Sequence, residues 1–499
     1  MLKHIGSNWA VSGLQLAAMM WLTPFILDTL GSEPNGVWVT IVSMTGFLSL
    51  FVMGVPMSTV KHIAEHVARG DTDKANRAIG TSAGISLGLA GCALAVSVPL
   101  YFAFERGLLS RESWSLDAVT LDQARVAWWI ITAQVCSAFL MRLPLAIFDA
   151  HRDFVTRNLL LASSLVLRVI LVFVLLGWKP NISALAWCPV GVQIFEWVGA
   201  LVLIRLRHAG IRFSLRTFDR GMLREIVGFS LFATLVNVGT MLAFRSDAMI
   251  IGAFGSANNV TDFDIGNKFF EPLVGVMIAV ASVVLPTSAR LDTLDRRSEL
   301  SQVFKKWSKV CVSIALVVGT YLLVLGPRFL AVWIEPRYEE ASGAVLRILM
   351  ASFLFYLPIR GVALPILLGL GEAKRPAVGL LTMGLVNIAL SIYLVRDYGI
   401  TGVAFGTAIP NVLYAAWVLR DTCRALGVSL SEWCAHTLGR TVPAALLPAG
   451  GLYWLLSERP PANMLELCLA GLGSVLVFAL LWFSFVYRDD PDFRGGAAD

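Results

Sequence analysis

Charge is what this chain lacks: only 15% of its 499 residues are Asp, Glu, Lys or Arg, whereas 57% are hydrophobic. A soluble domain carries about 25% charged residues, so a soluble two-domain enzyme is excluded. Histidine is scarce at six residues. The seven cysteines (Cys92, Cys136, Cys188, Cys311, Cys423, Cys434 and Cys468) include no CxxC pair. Most fall inside apolar blocks, as small packing residues do, rather than in disulfide or metal-ligand patterns. No GxxxxGK[ST] run occurs, which argues against ATP hydrolysis, and no cofactor is implied. The first apolar stretch continues to Leu27 without a small-residue cleavage site, so the first helix is expected to stay in the mature protein.

What is present is apolar sequence in repeated blocks of about 20 residues, each long enough to cross the hydrocarbon core of a bilayer. The blocks predict an all-α integral membrane protein of about fourteen spans. They lie near 6–27, 37–59, 79–103, 124–147, 158–177, 184–204, 226–252, 263–286, 308–330, 343–369, 377–395, 400–419, 438–457 and 465–487. With this count both termini share one side. The even-numbered connections and the tails hold 26 Lys and Arg, the odd-numbered connections eight. Basic connections stay in the cytoplasm, so both termini are expected there, in a bacterial inner membrane. The net charge of +6 follows from the same rule and requires no nucleic-acid partner. All connections are short, which leaves no outer domain to hold a catalytic site. The chain is not expected to be an enzyme, although an intramembrane glycosyltransferase or polymerase is the alternative from another class.

Leu30-Gly31-Ser32-Glu33-Pro34-Asn35 is echoed 224 residues later by Phe254-Gly255-Ser256-Ala257-Asn258-Asn259. Ile182-Ser183-Ala184-Leu185-Ala186 is echoed 218 residues later by Ile400-Thr401-Gly402-Val403-Ala404, and Arg142 and Arg360 share that offset. Transporters are often built from such repeats. The echo predicts a six-helix bundle at 1–215, a second at 216–425, and two appended helices with a cytoplasmic tail at 426–499.

The run Leu50-Phe51-Val52-Met53-Gly54-Val55, followed by Ala64-Glu65 and Ala68-Arg69-Gly70-Asp71, resembles the second-helix signature of oligosaccharide-lipid flippases. These belong to the multidrug/oligosaccharidyl-lipid/polysaccharide (MOP) exporter superfamily. Phe229 to Gly252 with Asp247, Gly369-Leu370-Gly371-Glu372-Ala373-Lys374, and the run from Gly399 to Ala404 are similar to other parts of that pattern. The resemblance covers about residues 1–430. It departs at Val52, where the signature often has Asp, so no role for that acid carries over. The resemblance implies two six-helix bundles around a central cavity that opens alternately to each side, with a lipid-linked saccharide as cargo. It is compatible with a functional monomer and with polysaccharide polymerase or glycosyltransferase partners.

Ionisable side chains inside spans are costly and normally face a cavity or a partner. Arg168 and Arg360 are central in their spans. Arg142 lies toward the cytoplasmic side, and Arg245, Lys268 and Arg347 in outer halves. A guanidinium grips phosphate oxygens in pairs, so Arg168, Arg245 and Arg360, then Lys268 and Arg142, are the candidate contacts for a diphosphate head group. Snorkelling to an interface or structural pairing is the competing explanation, favoured for Arg142 and Arg347. Asp264, Lys268 and Glu271 would share one helix face. Asp247, Glu196 and Glu271 are candidates for ion coupling, with salt bridging as the plainer alternative. These mainly basic charges point to a lipid-linked oligosaccharide flippase. A cation-coupled multidrug exporter and a lipid-linked peptidoglycan precursor flippase are the alternatives on the same fold.

Two motifs are decoys. His62-Ile63-Ala64-Glu65-His66 matches HxxEH but falls in a basic connector, where a solvated amphipathic helix is expected. Gly80, Gly84 and Gly88 form a small-residue ladder suited to helix packing in lipid. Prolines 24, 56, 99, 189, 272, 358, 365 and 410 lie within spans, where they permit bends.

Overall fold

A computed structural model describes residues 2–51, 55–208 and 210–487. Every regular element among them is helical. Helix α1 (Leu2–Leu30) is followed by α2 (Ser32–Gly46), a 3-10 turn (Phe47–Phe51), α3 (Val55–Ala68) and α4 (Thr72–Phe104). Next come α5 (Ala118–Met141), α6 (Leu143–Ala150), α7 (Phe154–Trp178), α8 (Ile182–Arg207), α9 (Arg220–Phe244) and α10 (Asp247–Phe254). The chain continues through α11 (Ala257–Asn267), α12 (Phe270–Thr293), α13 (Arg297–Trp333), α14 (Ala341–Pro358) and α15 (Leu364–Gly369). It ends with α16 (Lys374–Leu426), α17 (Leu430–Leu438), α18 (Thr441–Glu458) and α19 (Met464–Leu481).

Among the described residues, eleven helical stretches are long and apolar enough to cross a membrane. One of them, α16, is two helices joined at Gly399, whose φ of 57° and ψ of −136° suit glycine alone. Helices α9–α10 and α18 occupy the places of the seventh and thirteenth expected spans, so the helical order follows the fourteen-span pattern. The outward side chains agree with a lipid surround. Leu159, Leu446 and Leu480 are 70%, 64% and 69% exposed, a burden of surface hydrocarbon that water would not tolerate as contiguous patches.

Several spans are interrupted where a single helix was expected. The second, 37–59, passes through the 3-10 turn before α3, and Val52, with Met53 and Gly54 of the quoted signature, lies outside the described residues. The eighth breaks at Lys268–Phe269, so Asp264 and Glu271 belong to different helices and the expected shared face ends at the break. Helix starts are capped by side chains that relieve the unpaired first-turn amides. Asp71 accepts from the amide of Lys74, Asp117 from Thr120, Asp153 from Thr156 and Asn181 from Ala184.

Packing divides the chain into two compact units, Met1–Thr261 and Asp262–Asp499. In the first, α5 packs on α2, α4 and α8, and α7 on α1 and α8. Its best-buried cluster gathers Val37, Ile41, Phe104, Trp114 and Trp128. The glycine ladder of α4 has a different neighbour from the helix expected. A Cβ at Gly80 or Gly84 would strike Thr217 and Ser214 or Phe218, so these glycines admit the 214–218 connection, while Gly88 faces open space. In the second unit, α13 and α14 pack on each other, α14 on α16, and α18 on both α13 and α19.

Candidate functional site

The first unit contains a cavity of about 500 Å³. Its walls are largely apolar, with Leu22, Ile26, Trp38, Val42, Phe139 and Val172 among them. Onto this hydrocarbon open Arg142, Arg168 and Arg245, with the neutral polar side chains Thr45, Ser49 and Gln134.

Local structure explains how the cations reach it. Arg142 stands at the junction between α5 and α6, where Pro144 opens the next helix. Arg245 caps the carboxyl end of α9 at the step into α10. Both lie beside C-terminal carbonyls, which favour positive charge. Arg168 projects from the middle of α7, a helix of 25 residues of which five are buried. All three arginines are exposed in the structure. Among the described residues, the side chains of Arg142 and Arg168 make no hydrogen bond or ion pair, which leaves their N–H groups available. In a low-dielectric wall such donors attract an anion far more strongly than they would in water.

The other expected site residues lie elsewhere. Arg360 belongs to the second unit, on a π-helical turn (Ile359–Ala363) between α14 and α15. Its guanidinium donates to the Tyr356 hydroxyl at 3.0 Å. The Tyr356 and Tyr414 rings are 6.2 Å apart, and Glu271 acts on Arg360 electrostatically. Lys268 pairs with Asp264 at 2.5 Å. Arg347 donates to the Leu323 carbonyl at 3.0 Å. Glu196 accepts from Ser164 at 2.7 Å, joining α8 to α7. Asp247, 3% exposed, opens α10 two residues after Arg245. In the HxxEH stretch, Glu65 is engaged by Arg69 at 2.8 Å.

Gln134, Ser49 and Thr45 also line the cavity, although the charge pattern of the sequence does not single them out. A glutamine inside a span is itself a signal, since an amide in hydrocarbon requires a partner. Gln134 on α5 contacts the amide of Gln193 on α8 at 2.5 Å, and Gln193 lies 2.8 Å from Ser137.

Many helices of membrane-crossing length, with arginines on the wall of an apolar cavity inside the first unit, form the architecture of a membrane carrier, and the comparisons narrow this further. Residues 2–292 match the polysaccharide biosynthesis protein family, and the chain belongs to that family. A Shigella flexneri protein assigned as an O-antigen transporter is 21% identical over 426 residues, covering 84% of this chain and 97% of its own. The fold is shared with the lipid II flippase MurJ in an inward-closed conformation, at a TM-score of 0.71 and 15% identity, over 98% of this chain and 99% of that one. It is shared also with an inward-facing multidrug-resistance MATE transporter of the MOP superfamily, at a TM-score of 0.65 and 16% identity, over 83% and 98%.

Proposed function

We propose that this protein is a flippase that carries a polyprenyl-diphosphate-linked oligosaccharide from the cytoplasmic to the outer leaflet, for assembly of a surface polysaccharide. The observation that carries the proposal is the opening of Arg142, Arg168 and Arg245 onto one apolar cavity. Guanidinium groups fit the paired oxygens of a diphosphate. A cavity for cationic drugs would repel its cargo with the same charges. The relative assigned to O-antigen transport and the flippase fold point the same way.

In this proposal the protein works as a monomer by alternating access in a bacterial inner membrane, with both termini cytoplasmic. The solved neighbours include inward-facing and outward-facing forms of one multidrug-resistance fold, the kind of cycle such a carrier needs. The lipid tail would stay in the bilayer while the head group crosses. Asp247, Glu196 and Glu271 are the candidates for coupling an ion to that cycle. A polymerase or glycosyltransferase would take the product at the outer face.

The test is deletion of the gene. The expected outcome is loss of surface polysaccharide with lipid-linked repeat units retained on the inner leaflet, restored by the intact gene. Unchanged polysaccharide together with greater sensitivity to cationic drugs would replace this proposal with a drug exporter.

A further inference from the structure

The cavity has a second chemical character besides its cations. Gln134 lies eight residues before Arg142 on α5, about 12 Å along the axis at the rise of an α-helix. It lines the same cavity, as do the hydroxyl-bearing Thr45 and Ser49 of α2 and the 3-10 turn. Thr45 donates to the Ile41 carbonyl at 2.6 Å and Ser49 to the Gly46 carbonyl at 2.7 Å. Their hydrogens are thereby committed to backbone, while their oxygen lone pairs stay available as acceptors.

Gln134 is held differently. One polar atom of its amide meets Gln193 at 2.5 Å, and Gln193 is 8% exposed and lies 2.8 Å from the Ser137 hydroxyl. This is the side-chain hydrogen bond Gln134 makes among the described residues. A glutamine pair that served only to clasp α5 to α8 would face the helix contact alone. Here one end of the Gln134 amide is clasped and the residue also lines the cavity, so its second polar atom is open to whatever occupies that space. The cavity arginines offer a narrower match. A guanidinium only donates, whereas an amide presents either a donor or an acceptor, as a sugar hydroxyl or acetamido group does.

We infer that Gln134 is a specificity-determining contact for the saccharide of the cargo, held in place by Gln193 as a positioning residue, while the arginines hold the diphosphate. The inference rests on the flippase proposal. It adds that the cavity distinguishes a sugar-bearing lipid diphosphate from a bare one, with Gln134 meeting the sugar nearest the phosphates.

The experiment uses the full-length protein in nanodiscs and two short-chain probes. One is farnesyl diphosphate, the other farnesyl diphosphate carrying a single N-acetylhexosamine; Kd is measured for both by calorimetry. Wild-type protein is expected to bind the sugar-bearing probe about tenfold more tightly, the return from one or two well-made hydrogen bonds in a dry site. Gln134→Leu should bring the two Kd values together and leave the farnesyl diphosphate value unchanged. Gln193→Leu should reduce the ratio partway, an effect a purely structural residue would not have when both melting temperatures match wild type. Arg168→Ala should weaken both probes alike. Binding of both probes with a ratio indifferent to Gln134→Leu would overturn this inference and leave the flippase proposal standing. Equal loss of both probes in Gln134→Leu would overturn it too. Failure of wild-type protein to bind either probe would overturn the diphosphate site, and this inference with it.

Discussion

Arg168 and Arg360 look alike in the sequence, each a lone arginine deep in a span, yet the two units treat them differently. In the first unit Arg168 is exposed on a cavity wall, and no described side chain hydrogen-bonds or ion-pairs with it. In the second, Arg360 is partly buried, bonded to Tyr356 at 3.0 Å, and under the field of Glu271. One unit leaves its cation open on a cavity wall, and the other has given its cation an internal partner. Depth in the membrane therefore does not separate the two arginines, whereas the presence or absence of an internal partner does.

The largest expected effect comes from separating these two roles. Arg168→Ala should cut cargo transport about a hundredfold, the loss of two or so charge-assisted hydrogen bonds, with the melting temperature unchanged. Arg360→Ala should instead destabilise the protein by about 1–3 kcal/mol, because it removes a charge-assisted hydrogen bond to a buried tyrosine. Transport in a complementation assay and thermal unfolding in detergent, measured on both variants, give the two readouts. Normal transport by Arg168→Ala, or normal stability of Arg360→Ala, would erase the distinction.

The second expected effect concerns packing. At the 218-residue offset of the echo, Cys188 of the first unit corresponds to Gly406 of the second. Cys188 lines the cavity. Gly406 lies so close to Ser391, across the kink at Gly399, that an added Cβ would collide with its hydroxyl and backbone. Gly406→Cys should therefore force the two halves of α16 apart, at about 1–3 kcal/mol for overpacking. Cys188→Ala, which keeps helix propensity and removes only one sulfur atom beside the cavity, should cost less, below about 1 kcal/mol. Chemical or thermal unfolding of the pair decides it, and equal losses at the two positions would show that the first unit is packed as tightly there as the second.

Much of this was legible in the sequence, for physical reasons. Apolar blocks and the alternation of basic connections are imposed by the bilayer, so the helix order could be read directly. The kink in α16 at Gly399 falls in the join left between the expected spans 377–395 and 400–419. Three of the five candidate phosphate contacts, Arg142, Arg168 and Arg245, line one cavity. The breaks at Lys268–Phe269 and after Gly46 were not visible, since a helix can be interrupted without a change of hydropathy. Nor was the pairing of Arg360, because which side chain meets which across helices depends on rotation about each axis. Gln134 was missed because neutral polar residues leave no mark on a charge tally.

A smaller effect is expected at Lys268. Its pair with Asp264 is about a quarter exposed on each side, so the two charges already engage each other. Lys268→Ala and Asp264→Ala should each change transport less than threefold, and the double variant should resemble wild type. A hundredfold loss in Lys268→Ala alone would return this lysine to the cargo site and blur the contrast between engaged and open cations.

The smallest expected effect is a response to acid, and it too should belong to one unit. Five of the six histidines precede residue 262. His208, just past α8, stacks at 4.2 Å from His151 and lies 3.7 Å from an Asp153 carboxylate oxygen, with Arg207 also near Asp153. Burial, and then the neighbouring His151, push the His208 pKa below its ordinary value, against the pull of Asp153. The folded protein thus binds this proton less readily than the unfolded chain does. Its contribution to stability is complete above the unfolded value of about 6.5 and is lost as pH falls from there toward the folded value. The melting temperature should accordingly be flat above pH 7 and fall through the range just below it. His208→Gln should remove part of that fall, while Arg168→Ala should not, because the cavity arginines stay charged throughout. A pH profile unaltered by His208→Gln would place the acid response outside this corner of the first unit.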